Sequence, residues 1–183
     1  MKLRRLSWIL VLVILAGLAG YRWRQWRLER NQDASIRAAA LRYEVEPALV
    51  RAVIWRESRF HSRARGRAGE IGLMQLRKEA AQDWADAEHI DGFEHEECLD
   101  PRTNILAGTW YLKRLLDRYR QTDNPVPYAL ADYNAGRGNV LKWLGGAAVT
   151  NSEMFLEQIG FPGTKKYVQS VMRRYEKYRP ISE

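Results

Sequence analysis

VIWRESRFHSRARGRAGEIGLMQL, residues 53–76, is the stretch on which the reading of this fold turns. Leu49, Val53 and Glu57 stand at i, i+4 and i+8, so in a helix they share one face. That face is apolar at its first two positions and therefore points inward. The row ends on a carboxylate, a loop rich in arginine and glycine follows, and the chain resumes with GLMQL. A carboxyl group drawn out of water holds its proton to higher pH, because burial disfavours the charged form. A carboxylic acid protonated near neutrality can give that proton to a leaving oxygen, which is what cleavage of a glycosidic bond requires. The plainer alternative is a helix-end glutamate paired with Arg56 or Arg59.

Working outward, Pro47 suits the first turn of a helix running to about Ser58. The polar residues 22–46 form a stalk that becomes helical. After the loop holding Gly66 and Gly69, a second helix is expected over roughly 72–87, then an acidic loop over 88–100. Pro101 opens a long helix with Ile105, Leu112, Leu115, Leu116 and Tyr119 at helical spacing. Asn124-Pro125 starts another helix that stops near Gly136, and Val140 to Leu144 make a short helical piece. The last helix follows FPGT and carries Tyr167, Val168, Val171, Met172 and Tyr175 on one side. No strand pattern and no internal repeat interrupts this, so the fold class is mainly α.

The chain has 183 residues, 46% of them hydrophobic and 11% aromatic, which suits one domain with a real core. Its net charge of +8 resembles a nucleic-acid signature until it is located. Residues 1–30 hold seven Lys/Arg and one Glu, a net of +6, which leaves +2 for the other 153. A nucleic-acid partner needs a clustered basic face on the domain itself, and the balanced charge excludes that reading. The single cysteine, Cys98, rules out a disulfide within the chain and any C-x-x-C motif. His61, His89 and His95 are too far apart for a short zinc motif, and DGFEHEECLD lacks the EF-hand spacing. No metal and no organic cofactor is expected.

At the N-terminus, MKLRR precedes LSWILVLVILAGLAGY, residues 6–21, which carry no charge. Sixteen uncharged residues fall short of the roughly 20 that span a bilayer, but Trp8, Tyr21 and snorkelling arginines extend the reach. The segment is read as an uncleaved membrane anchor, with a cleaved signal peptide as the alternative. In either case the domain is exported.

Two further clusters carry chemistry. In Gly69-Glu70-Ile71-Gly72-Leu73-Met74-Gln75-Leu76 the glycines permit a tight turn or close approach by a ligand, and Gln75 offers an acceptor and two donors to sugar hydroxyls. Leu73 and Met74 read better as core, and Glu70 as a first-turn residue favoured by the helix dipole, with a second carboxylate near the site as the alternative. In Ala131-Asp132-Tyr133-Asn134-Ala135-Gly136, Asn134 follows Leu130 by four and prolongs an inward row into a polar side chain. Tyr133 adds an apolar ring with a hydroxyl, suited to a sugar face, although a buried Tyr–Asn pair bonded to backbone fits as well.

Taken in order, E-S, G-x-x-G-L-M-Q, D-P-x-x-N-I-x-x-G-x-x-Y-L and Y-N-A-G resemble the soluble lytic transglycosylase (SLT) domain, a lysozyme-like family acting on peptidoglycan. The resemblance covers about residues 45–178. Glu57-Ser58 matches the family's catalytic pair, Gly72 to Gln75 its GLMQ, and Tyr133 to Gly136 its YNAG. Thr164, Tyr167 and Val168 match its C-terminal T-x-x-Y-V. The resemblance implies a lysozyme-like helical domain over 45–178, behind an anchor at 1–21 and a stalk at 22–44. It implies cleavage of the β-1,4 bond between N-acetylmuramic acid and N-acetylglucosamine, with Glu57 as the single acid and base and a 1,6-anhydro end as product. Ser58, Gly72, Met74, Gln75, Tyr133, Asn134 and Tyr167 become the substrate-binding set. The partners are then peptidoglycan strands, the membrane and a cell-envelope complex, with the domain in the periplasm, or secreted if the leader is cleaved. Gly66 and Gly163 stand where the family usually carries serine and often glutamate. A hydrolytic lysozyme of the same fold, or an idle glycan-binding scaffold, are the rival readings.

Overall fold

Four helices of the chain open on a proline, whose fixed φ and missing N–H suit a first turn. These are α3 (Pro47–Ser58), α5 (Pro101–Arg118), α6 (Pro125–Ala135) and α9 (Pro162–Ser182). The others are α1 (Lys2–Arg30), α2 (Asp33–Tyr43), α4 (Lys78–Ala87), α7 (Arg137–Trp143) and α8 (Ser152–Gln158). The computed structural model describes the backbone of residues 2–182 and the side chains of 8–180. Among the described residues there is no strand, only two isolated bridges, Arg65 with Ile71 and Ile71 with Leu76.

The chain divides into two units, residues 1–34 and 35–183. In the first, Trp8 to Leu15, Leu18 and Tyr21 of α1 are exposed. Arg27 lies 4.9 Å over the Trp23 ring and Arg30 lies 5.1 Å over Trp26. Among the described residues, no helix is long and apolar enough to cross a membrane. The side chains of 1–7, where the expected anchor begins, lie outside the described residues.

In the second unit α3 is the central helix. Leu49, Val50, Ala52, Val53 and Ile54 are fully buried, and the helix packs along α9, whose Tyr167, Val168 and Val171 are buried in turn. Asp100 caps α5 by accepting from the Thr103 N–H at 2.9 Å, and Asn124 caps α6 by accepting from Val126 N–H at 3.1 Å. Asp132 ties α6 to α5, taking bonds from Arg118 at 2.6 Å and the Tyr119 hydroxyl at 2.8 Å. Tyr119, Tyr128 and Phe155 stack in sequence, their centroids 5.6 and 4.1 Å apart.

Three local expectations change. The helix expected over 72–87 begins only at Lys78. Residues before it form a tight loop in which Ile71 and Leu76 exchange both backbone bonds at 3.0 Å, with Gly72 and Gln75 at φ of +79° and +48°. Glu70 is therefore a loop residue rather than a first-turn residue. The acidic loop holds a 3-10 turn, His95–Leu99, that seats Cys98 in the core. Finally, α8 was not foreseen; Asn151 caps it by accepting from Met154 N–H at 2.9 Å, and Phe155 anchors it.

Candidate active site

The chain leaves α3 by an abrupt turn. Arg59 and Phe60 follow Ser58 with φ of +53° and +63°, in the left-handed region that non-glycine residues rarely enter. Two such residues in a row cost strain, and strain of this kind gathers at functional sites. The buried Phe60 ring holds the turn in place. Glu57, one turn beyond the fully buried Val53, is left partly buried at the end of its helix.

Glu57 faces a cleft of about 410 Å³. Glu57 forms one wall; Glu70, Gln75, Leu76 and Arg77 come from the loop and the start of α4, and Tyr111 from α5. Tyr133, Asn134 and Gly136 close it from the end of α6. The Tyr167 hydroxyl, buried on α9, donates to Glu57 Oε1 at 2.5 Å. Burial pushes the Glu57 carboxyl up to about 7; the Tyr167 bond and the Arg56 charge pull it back, while Glu70 adds to the rise. Desolvation is the dominant cause, as the inward row in the sequence implies. Arg56 does not simply cap the helix end, since its guanidinium lies 5.0 Å over the Tyr167 ring.

The loop is held as a rigid shelf. Asn104, fully buried on α5, accepts from Met74 N–H at 2.7 Å and donates to the carbonyls of Ile71 at 3.0 Å and Cys98 at 2.9 Å. Tyr133 donates its hydroxyl to the Met74 carbonyl at 2.7 Å, and its ring lies 5.5 Å from that of Tyr111. Gln75 uses its amide nitrogen within the loop, on Gly72 O at 2.8 Å and Ala64 O at 3.1 Å. That leaves the amide oxygen, an acceptor, as the part of Gln75 available to a ligand.

Of the substrate-binding set, Gln75, Tyr133 and Asn134 line the cleft. Ser58, Gly72, Met74 and Tyr167 do not form its walls. Ser58 donates back to Ile54 O at 3.2 Å, a bond that occupies its hydroxyl inside α3. Met74 is fully buried against Gly108, and Gly72 is packed against Asn104 and the Cys98 carbonyl. Tyr167 reaches the site only through Glu57. Asn134 is exposed rather than part of a buried pair, and its Oδ1 accepts from Thr164 at 2.9 Å. Periodicity places no second carboxylate beside Glu57, yet Glu70, the alternative second carboxylate, lines the same cleft. Arg77, 3.3 Å from Glu70, was missed. Both sit around a loop without periodicity, and nothing in the local sequence announces that they pair.

The raised Glu57 carboxyl has a consequence for stability. Its folded value of about 7 lies above the ordinary 4.5, so the native state binds more protons than the unfolded chain between those pH values. Stability contributed by this group therefore falls as pH rises from about 4.5 to about 7, and the deficit persists above. Glu57→Gln removes the deficit without changing side-chain shape. The variant is expected to be more stable than wild type by about 1–3 kcal/mol at pH 8 and equal to it at pH 4. Thermal melts at the two pH values check this, and a constant difference between them would refute the linkage.

Comparison with known proteins places these observations. The Transglycosylase SLT domain family model matches residues 34–155. The soluble lytic murein transglycosylase of Escherichia coli (strain K12) is 32% identical over 174 residues, covering 92% of this chain and 26% of that protein. The membrane-bound lytic murein transglycosylase C of Actinobacillus pleuropneumoniae serotype 5b (strain L20) is 38% identical over 113 residues, 58% of this chain and 31% of that one. The crystal structure of the 70 kDa soluble lytic transglycosylase of Escherichia coli superposes with a TM-score of 0.75 at 28% identity, over 92% of this chain and 27% of that chain. The chain thus spans about a quarter of the length of the soluble relatives it matches. With a match over well more than half of its residues, and a helical architecture shared with a solved member, the chain belongs to the transglycosylase SLT domain family.

Proposed function

We propose that this chain is a peptidoglycan lytic transglycosylase that cleaves the β-1,4 bond from N-acetylmuramic acid to N-acetylglucosamine and closes a 1,6-anhydro ring. The observation that carries the reading is Glu57: a carboxyl raised by burial to about 7, bonded to the Tyr167 hydroxyl, on the wall of a cleft. The names of the similar proteins support it.

In the mechanism, Tyr167 donates to Oε1, so the acid's proton is carried by Oε2. Glu57 gives that proton to the glycosidic oxygen as the bond to the anomeric carbon breaks. The same carboxylate, now charged, takes the proton of the muramic 6-hydroxyl, whose oxygen closes on the anomeric carbon, and the acid is regenerated. A carboxyl that titrates at about 7, close to neutral pH, serves both steps. Gln75 accepts from a sugar hydroxyl or the acetamido N–H, and Tyr133 and Asn134 hold the saccharide across the cleft. Ser58, Gly72, Met74 and Tyr167 act by supporting this surface.

We further read residues 1–21 as a membrane anchor, 22–44 as a stalk and 45–178 as the catalytic domain, in the bacterial envelope with the domain facing the periplasm. The exposed apolar face of α1 and its Trp–Arg stacks support an interfacial anchor, and some relatives are membrane-bound. The uncharged stretch is about 24 Å long as a helix, so spanning requires local thinning or snorkelling arginines. A hydrolytic outcome is the second reading, and Glu70 in the cleft is the observation that favours it. Mass spectra of the products released from purified peptidoglycan decide. Muropeptides lighter by one water than reducing-end products are expected; reducing ends alone would make the enzyme a hydrolase, and glycan binding without products a scaffold.

A further inference from the structure

Glu70 is held in one place by three donors from two neighbours. Its Oε2 accepts from the Ala68 N–H at 3.0 Å, and its Oε1 receives both Nε and an Nη of Arg77 at 3.3 Å. The carboxylate lies directly over Gly66. A Cβ added to Gly66 would stand 2.3 Å from Glu70 Oε2 and 3.1 Å from both Glu70 Cβ and the Gln75 amide oxygen. Gly66 is outside the positive-φ region, so a side chain here would meet the Glu70 carboxylate rather than strain the backbone, and the carboxylate would have to leave its present seat. Glu70 and Gly66 are thus a matched pair within the cleft, at the position where the family resemblance leads one to expect serine.

Both oxygens of Glu70 are occupied by donors, and this decides what kind of group it is. Burial works against its charge, but its own and the Ala68 backbone N–H groups and Arg77 together hold the carboxyl below its ordinary range. A carboxylate so held is a dependable anion at every pH at which Glu57 titrates. Its contribution to the cleft is charge.

We propose that Glu70 is a positioning residue for the acid: a fixed anion in the cleft, given room by Gly66, whose repulsion keeps Glu57 protonated until the glycosidic oxygen takes the proton. This rests on the reading of Glu57 as the acid. The groups whose charge or bond acts on Glu57 are Arg56 from its own helix, Tyr167 from α9, Tyr133 from α6 and Glu70 from the loop, while Tyr111 and two ion-paired groups, Arg77 with Glu70 and Asp132 with Arg118, also line the cleft. Arg56 and the Tyr167 bond favour the ionised carboxylate. Tyr133 stays neutral, because burial pushes its hydroxyl far up. Glu70 is therefore the one of the four whose charge opposes ionisation, adding to burial. An acid that must be protonated to start the reaction gains from a neighbour of this sign.

The test titrates Glu57 directly in the full chain, through the side-chain carboxyl carbon-13 shift, beside the pH profile of kcat/KM on peptidoglycan. Glu70→Gln keeps the shape and removes the charge. It is expected to move the Glu57 midpoint, and the falling limb of the profile, to lower pH, so that the ratio of rates at pH 6 and pH 8 grows about threefold, the equivalent of half a pH unit. Glu70→Asp, which keeps the charge, is expected to stay near wild type. Gly66→Ser, which pushes the carboxylate off its seat, is expected to follow Glu70→Gln while leaving Glu70 in the sequence. A folded Glu70→Gln protein with an unmoved midpoint would overturn the proposal, as would a Glu70→Asp protein that behaves like Glu70→Gln or a Gly66→Ser protein that behaves like wild type. The carbon-13 titration needs no turnover. Failure of the transglycosylase reading would show as missing products, and failure of this inference as an unmoved midpoint.

Discussion

Glu57→Gln is expected to lower the release of soluble muropeptides by at least about a thousandfold, with substrate binding nearly unchanged. The magnitude follows from how much is asked of one group. A single positioned acid or base contributes about 10²–10⁴-fold, and in the proposed mechanism Glu57 serves in both halves of the reaction. Glutamine keeps the length of the side chain and an oxygen to which Tyr167 can still donate, so the shelf and the cleft remain. What it lacks is a proton to give and a basic oxygen to take one back. The loss therefore falls on kcat, while Gln75, Tyr133 and Asn134 go on holding the glycan. The check is muropeptide release against time by chromatography, paired with pelleting on insoluble peptidoglycan. Turnover within tenfold of wild type would remove Glu57 from the centre of the mechanism.

Much of the architecture was legible because helix boundaries carry local chemistry. Pro47, Pro101 and Pro125 each open the helix expected of them, and Asn124 and Gly136 bound α6 as read. The errors lie where that chemistry is silent. A helix over 72–87 fails in its first six positions because Gln75 takes a left-handed conformation, and glutamine carries no sign of it. The shelf exists because Ile71 pairs with Leu76 and Asn104 reaches in from α5, contacts set by tertiary packing. The cap of α8, Asn151, is a recognisable signal in the sequence, but the helix behind it is a mere seven residues.

The site divides along the same line. Glu57 was visible because its row on α3 is periodic, with Leu49 and Val53 buried beneath it. Asn134 was picked out by its spacing from Leu130, although its side chain proves exposed rather than inward, and Tyr133 by its ring and hydroxyl and the Y-N-A-G match. Tyr167 stands 110 residues from Glu57 in sequence, and nothing local announces that its hydroxyl would reach the carboxylate. Glu70 and Arg77 meet across a loop that has no period to read. Sequence pattern thus located the buried carboxyl, whereas the groups that tune it belong to the folded chain.

The largest expected loss of stability comes from a residue that touches no substrate. Asn104→Ala is expected to destabilise the domain by about 3–5 kcal/mol and to abolish activity with it. Asn104 is fully buried and makes three bonds of 2.7 to 3.0 Å, so its removal strands the Met74 N–H and the Cys98 carbonyl in the interior and leaves the Ile71 carbonyl with the Leu76 N–H alone. Each stranded group costs about 1–3 kcal/mol, more than the net worth of the bond it had made. Asn104→Asp sharpens the point, because the carboxylate can still accept from Met74 but places negative charge against two carbonyls; it is expected to be no better than alanine. Gly72→Ala attacks the same joint from the other side. Its Cβ would stand 2.1 Å from Asn104 Nδ2 and 2.4 Å from Cys98 O, on a backbone at φ +79°. The two lesions break one unit, so the double variant is expected to lose far less than the sum of the singles. Urea unfolding of wild type, both singles and the double settles this. Additive losses, or an Asn104→Ala cost below about 1 kcal/mol, would mean that the shelf is held by Tyr133 and the loop's own backbone bonds, and that α5 merely lies beneath it.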